Sequence, residues 1–125
     1  MWWPDVYCDL GNVAAYIDNI FLSFASPTNT YDASNANCLG TQFPTPNPAD
    51  LKLSLSKLKQ KNPNAKVFLS VGGATFPFPS KMPADKIQGI FKYVDQYDLD
   101  GIDLDYENSP GCYLSGNVPV CSTDT

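Results

Sequence analysis

LDGIDLDYE, residues 99–107, places four acids among nine positions, in company with Leu99, Ile102, Leu104 and Tyr106. Surface acids ordinarily have polar neighbours, whereas here Asp103, Asp105 and Glu107 alternate with large apolar side chains. A repeat of two residues is the period of a β-strand, whose successive side chains point to opposite faces. The stretch therefore predicts a strand over 99–106. One face carries Ile102, Leu104 and Tyr106, the other Asp103, Asp105 and Glu107.

Alternate residues of a strand stand roughly 6.6 Å apart, so the three carboxylates feel one another. Like charges at that spacing, in a site of reduced dielectric, do not all ionise readily, and such a set is expected to keep a proton near neutral pH. That is the means by which a carboxyl group becomes a general acid. Glu107 comes last and is expected to project from the C-terminal rim, where parallel α/β folds hold their ligands.

Outward from this strand the chain alternates between two periodicities. Residues 84–97 predict a helix, with Ile87, Ile90, Phe91 and Val94 at i, i+3, i+4 and i+7. KVFLSVGG, residues 66–73, reads as a buried strand halted by two glycines, followed by the turn-rich ATFPFPSKMP. Residues 49–61 predict another helix: Leu51, Leu55 and Leu58 share a face, Leu53 lies off it, Asp50 opens the first turn and lysines close the last. NIFLSFA, residues 19–25, reads as the earliest buried strand. Between it and the first helix lies a long loop, 26–50, rich in Pro, Asn, Thr and Ser. Loops of that length tend either to be functional or to be held by a crosslink, such as one through Cys38. The tail from 108 to 125 reads as loop. Apolar strands alternating with helices predict parallel βαβ units.

The 125 residues suit one domain, and 43% hydrophobic residues suffice for a core. Eight basic against 13 acidic residues, with no basic cluster to track phosphates, exclude nucleic acid as the expected partner. No apolar run reaches the roughly 20 residues of a membrane span. The start, MWWPDVYCDL, has neither the charged end nor the apolar centre of a signal peptide and reads as a mature or truncated N-terminus. Histidine is absent, which removes Ser-His-Asp and Cys-His nucleophile systems and HExxH zinc sites. Acid–base chemistry then falls to carboxylates.

Cys8, Cys38, Cys112 and Cys121 form no CxxC pair, so disulfides are expected ahead of zinc, with a secreted or luminal location. The expected bridges are Cys112–Cys121 and Cys8–Cys38, although four cysteines allow three pairings and buried free thiols are the alternative. A calcium loop counted from Asp103 would need glycine where Asn108 stands and an acid where Leu114 stands, so it fails. A magnesium or manganese site at the strand end stays open. A merely solvated acidic edge is disfavoured, because Ile102 and Leu104 read as a covered face. SVGGA lacks GxGxxG and a Walker lysine, and such glycines commonly serve a tight turn.

SxGG at Ser70 to Gly73, then a helix, then DGxDxDxE at Asp100 to Glu107 resembles the glycoside hydrolase family 18 chitinases and endo-β-N-acetylglucosaminidases. Every defined position of the second motif is matched. The resemblance implies an α/β fold, the (β/α)8 TIM barrel, of which residues 1–125 would supply only the N-terminal half, about strands 1–4. Trp2 and Trp3 would belong to the first strand or a subsite wall. Such a domain takes about 250 residues, so the second half, with its later Tyr-Asp element and tryptophan floor, would be missing. The isolated chain is then expected to be poorly stable or to associate, with little hydrolysis.

The resemblance also implies substrate-assisted retaining hydrolysis of β-1,4-linked N-acetylglucosamine polymers, without cofactor or metal. Its catalytic residues would be Glu107 as acid, Asp105 on the acetamido group and Asp103 beneath Asp105. Ser70 would hydrogen-bond to that inner pair of acids and, with Gly72 and Gly73, line the substrate site. Phe24, Phe76, Phe78 and Tyr106 are the aromatic candidates there, although a core role is the commoner one for a phenylalanine such as Phe24. The partner would be chitin or an N-acetylglucosamine oligosaccharide, with a chitinase-like lectin or an N-glycan endoglycosidase as alternatives. Lectins of this kind usually lose the final acid, which Glu107 retains.

Overall fold

The computed structural model describes residues 10–43, 47–107, 112–116 and 118–121. Three parallel strands, β1 (Asn19–Ala25), β2 (Lys66–Gly72) and β3 (Gly101–Asp105), lie side by side in that order. Helix α1 (Pro48–Lys61) connects β1 to β2, and α2 (Ala84–Gln96) connects β2 to β3. These are the expected βαβ units, each ending its helix within a residue of the expected place.

Helix α1 forms where its signals predict. Asn47 caps it, Oδ1 accepting from Asp50 N at 2.9 Å, and Pro48 occupies the first turn, where its missing N–H costs nothing. Leu51, Leu55 and Leu58 are buried while Leu53 is exposed, as the apolar stripe requires. At its far end Asn62 donates to the carbonyls of Ala15 and Ile17 at 3.1 and 2.9 Å, fastening the approach to β1.

The core lies on one side of the sheet, where Leu22, Val67, Leu69 and Val71 join the α1 leucines and Ile90 and Tyr93 of α2. On α2 the buried stripe matches the expected one only in part, at Ile90 and at Val94, which is half-buried against the core. Ile90, Tyr93 and, just past the helix, Tyr97 are buried, whereas Ile87 and Phe91 are exposed. The reason is the segment between β1 and α1, which packs on the tyrosine side: Tyr93 donates to Ala36 O at 2.9 Å and Tyr31 to Gln96 at 2.8 Å.

That segment is held without a crosslink. Ser26 N donates to Leu39 O at 2.7 Å, Gln42 N to Phe24 O at 3.0 Å, and Leu39 and Ala36 are buried. Cys38, expected to pair with Cys8, is a free thiol; Cys8 lies outside the described residues. Trp2 and Trp3 lie outside them as well. The tail is not all loop: β4 (Cys112–Ser115) and β5 (Val118–Cys121) form an antiparallel hairpin. Its signal was the Gly116-Asn117 pair between two short apolar runs.

The outer face of β3 departs from the expected covering. Leu104 and Tyr106 are each 67% exposed. With Met82, Ile87, Phe91 and Ile102 they line an open groove of about 480 Å³. No helix of the described residues is long and apolar enough to cross a membrane.

Candidate active site

Parallel register assembles the acidic face. Ser70 of β2 is the partner of Asp103 on β3, and Gly72 is the partner of Asp105, so the residues of the two motifs stand directly opposite one another. Alternation then puts Phe68, Ser70 and Gly72 on the same side as Gly101, Asp103 and Asp105. This side is the one turned away from the helices.

The strongest link is between the two motifs. Ser70 Oγ donates to Asp103 Oδ2 at 2.7 Å, with the serine 1% exposed. A charge-assisted hydrogen bond of that length fixes the carboxylate's orientation. Asp103 and Asp105 are half-buried, and Glu107, two residues beyond the end of β3, is exposed. The three therefore climb from the sheet to its C-terminal rim in the expected order.

Gly72 and Gly73 are required by local geometry. Their φ angles, 108° and 80°, lie where side chains are strained. A Cβ on Gly72 would stand 2.3 Å from the Asp105 carbonyl oxygen and 2.4 Å from Phe78 Cε2. A Cβ on Gly73 would stand 3.1 Å from the Phe24 ring. Gly73 N also donates to Asp105 O at 2.8 Å, which carries the β2–β3 ladder one step past the strand ends. The turn after SVGG is thereby tied to the backbone of the acidic strand.

The aromatic candidates separate. Phe24, joined to Ser23 by a cis peptide bond, lies against Gly73 near the acidic side. Phe76 is half-buried in the turn after β2. Tyr106 turns to the other face, its ring 5.5 Å from that of Phe78, at the groove lined by Leu104. A ring pair missed in the sequence, Phe21 and Phe68, stacks at 5.4 Å on the acidic side. Period-two alternation could have found it, since Phe68 precedes Ser70 by two.

Asp100 belongs elsewhere. It sits at the opposite end of the strand and accepts from Val67 N at 2.8 Å, with Lys59 Nζ at 3.0 Å and Lys66 Nζ at 3.4 Å. Burial pushes its carboxyl up, but the Val67 N–H and the two ammonium groups outweigh this and hold it below the usual carboxylate range. The first acid of DGxDxDxE is thus a clamp between α1, β2 and β3. Among the described residues, no group of three His, Cys, Asp or Glu is disposed to hold a metal ion.

A sequence model of the glycosyl hydrolases of family 18 matches residues 5–122. The chain belongs to this family. Over 70 residues it is 37% identical to chitinase A1 of Niallia circulans, an alignment that takes in 50% of this chain and 10% of the relative. A crystal structure from Streptomyces coelicolor, named as a chitinase A, superposes with a TM-score of 0.51 at 20% identity, over 80% of this chain and 34% of that one. At that identity the likeness shows a shared fold. The family 18 chain thus spans a small part of each relative's length, and the residues matched by the family model include both motifs.

Proposed function

We propose that this family 18 chain supplies the N-terminal half of a (β/α)8 barrel that hydrolyses β-1,4-linked N-acetylglucosamine polymers, with chitin as the substrate, outside the cell. The observation that carries the reading is the register that sets Asp103 against Ser70 and Asp105 against Gly72, with Glu107 next at the rim. A relative named chitinase A1 agrees with it.

In this reading Glu107 donates its proton to the glycosidic oxygen as the bond to the anomeric carbon breaks. The substrate's own 2-acetamido oxygen attacks that carbon, and an oxazolinium ion forms. Asp105 accepts from the acetamido N–H and balances the developing positive charge. Asp103, held by Ser70, keeps Asp105 oriented from below. The Glu107 carboxylate then takes a proton from water, which opens the oxazolinium with net retention. Gly72 and Gly73 shape the floor, and Phe24 and Phe76 supply apolar faces for the sugar.

The test is Glu107→Gln in the longest natural polypeptide that contains these residues, assayed on chito-oligosaccharides. Positioned acid catalysis is worth roughly 10²–10⁴ in rate, so kcat is expected to fall by that factor while oligosaccharide binding persists. Unchanged kcat overturns the assignment. Hydrolysis of N-glycan cores in preference to chito-oligosaccharides would redirect the substrate reading, and binding without cleavage by the unaltered protein would identify a lectin.

A further inference from the structure

We propose that Cys112 and Cys121 are joined by a disulfide that staples the β4–β5 hairpin immediately after the acidic rim. The inference stands on backbone register, independently of the catalytic reading. Strands β4 and β5 pair Cys112 with Cys121, Tyr113 with Val120, Leu114 with Pro119 and Ser115 with Val118. Only Gly116 and Asn117 intervene between the last pair. Hairpins with two-residue loops close on a hydrogen-bonded pair through a primed turn, whose first central residue needs positive φ. Gly116 has φ 66°.

From that closing pair the remaining positions follow by alternation. Hydrogen-bonded and non-hydrogen-bonded pairs succeed one another along an antiparallel ladder. Ser115 and Val118 are the first kind, Leu114 and Pro119 the second, Tyr113 and Val120 the first, and Cys112 and Cys121 the second. Pro119 checks the register independently. It has no N–H to give to the ladder, and this register places it where the ladder asks for none. A slip of one residue would put proline at a bonded position.

At a non-hydrogen-bonded pair the two Cα atoms stand about 4.5 Å apart, within the roughly 4.4–6.8 Å that a disulfide spans. Neither backbone then has to move for the bond to form. Cys38, by contrast, is a free thiol in the segment between β1 and α1. The chemistry needs an oxidant, and a small-molecule or protein disulfide such as glutathione disulfide serves. One cysteine thiolate attacks it, releasing one thiol and leaving a mixed disulfide. The second thiolate displaces the other thiol. The two cysteines lose two protons and two electrons, and the oxidant becomes two thiols. A hairpin of two four-residue strands is marginal by itself, so the bond would fix the segment that leads away from Glu107.

The experiment is disulfide mapping of the folded full chain after equilibration with oxidised and reduced glutathione. Free thiols are blocked with iodoacetamide, and the protein is digested with chymotrypsin, which cuts after Tyr113. The expected result is one pair of peptides, bearing Cys112 and Cys121, that stays joined until reduction, with Cys38 alkylated. A Cys38→Ser variant is expected to retain the same linked pair. Alkylation of both Cys112 and Cys121 in a chain that is folded by circular dichroism, or linkage of either one to Cys8 or Cys38, overturns the proposal.

Discussion

Ser70 Oγ and Asp103 Oδ2 lie 2.7 Å apart across paired positions of β2 and β3, so one hydrogen bond joins the SxGG motif to the acidic strand. Ser70→Ala removes the donor without changing the packing volume much and leaves the carboxylate short of a partner. A hydrogen bond to a charged group is worth about 1.5–3 kcal/mol. Ser70→Ala is therefore expected to lower the urea midpoint by that equivalent and, in the complete enzyme, to lower kcat roughly tenfold or more with little change in KM. Unaltered stability and kcat would show that the bond is idle.

Asp100 makes a different prediction, because it clamps strand ends far from the rim. Its folded value is depressed, so it contributes stability above the ordinary carboxylate value of about 3.9 and loses that contribution as pH falls through the depressed value. Denaturant midpoints measured from pH 6 downward should fall more steeply below about pH 4 in the parent than in Asp100→Asn. At neutral pH Asp100→Ala, which also abandons the Val67 N–H, should cost about 1–2 kcal/mol. Asp100→Asn should cost less, since exposed ion pairs contribute up to about 1 kcal/mol.

Two glycines with positive φ separate strain from crowding. Gly72→Ala meets the Asp105 carbonyl at 2.3 Å and the Phe78 ring at 2.4 Å, whereas a Cβ on Gly116 meets nothing within 4 Å. Left-handed backbone alone costs an alanine about 1–2 kcal/mol. Gly116→Ala should lose that amount, and Gly72→Ala should lose more than 3 kcal/mol or fail to fold. Chemical denaturation of both variants decides; equal losses would refute the crowding at Gly72.

Tyr97 carries a buried hydroxyl with no hydrogen-bond partner among the described residues. Burial, then Cys38 and Tyr31, push it up to about 12 from 10.0. A raised value means that this ionisation leaves stability unchanged below pH 10 and lowers it as pH rises from 10.0 through about 12. Tyr97→Phe should stabilise the chain by about 1 kcal/mol and remove the late step from a tyrosinate absorbance titration. Destabilisation by this variant would mean that the hydroxyl has a partner.

Leu104 and Phe91, 67% and 50% exposed, face the groove beside β3. Exposed apolar ground of this kind promotes association. The 125-residue chain should self-associate in sedimentation velocity as concentration rises, and Leu104→Lys with Phe91→Glu should shift it toward monomer. A parent chain that stays monomeric at high concentration would remove the expectation.

Legibility in the sequence followed the range of the forces involved. The alternation of LDGIDLDY, the Leu51, Leu55 and Leu58 stripe and the placing of Asp50 in the first turn with lysines in the last are local, and each element formed where its pattern predicted. The stripe on α2 shifted because a loop distant in sequence supplies Ala36 and Tyr31 as partners. The hairpin at 112–121 departs from the expected loop; its strands are only four residues long, too short for alternation to mark, and Gly116-Asn117 is its one local signal.

The order of residues by itself determined that Asp103 and Asp105 share a side, because strand geometry leaves each side chain only two directions, and that Glu107 follows them past the strand end. It also determined the family, through motif positions that need no coordinates. Tertiary structure decided which partner each acid meets: Ser70 for Asp103, and Val67 N–H with two lysines for Asp100. Those partners come from another strand and from α1, and only parallel register, set by packing across the whole sheet, brings them within hydrogen-bonding distance.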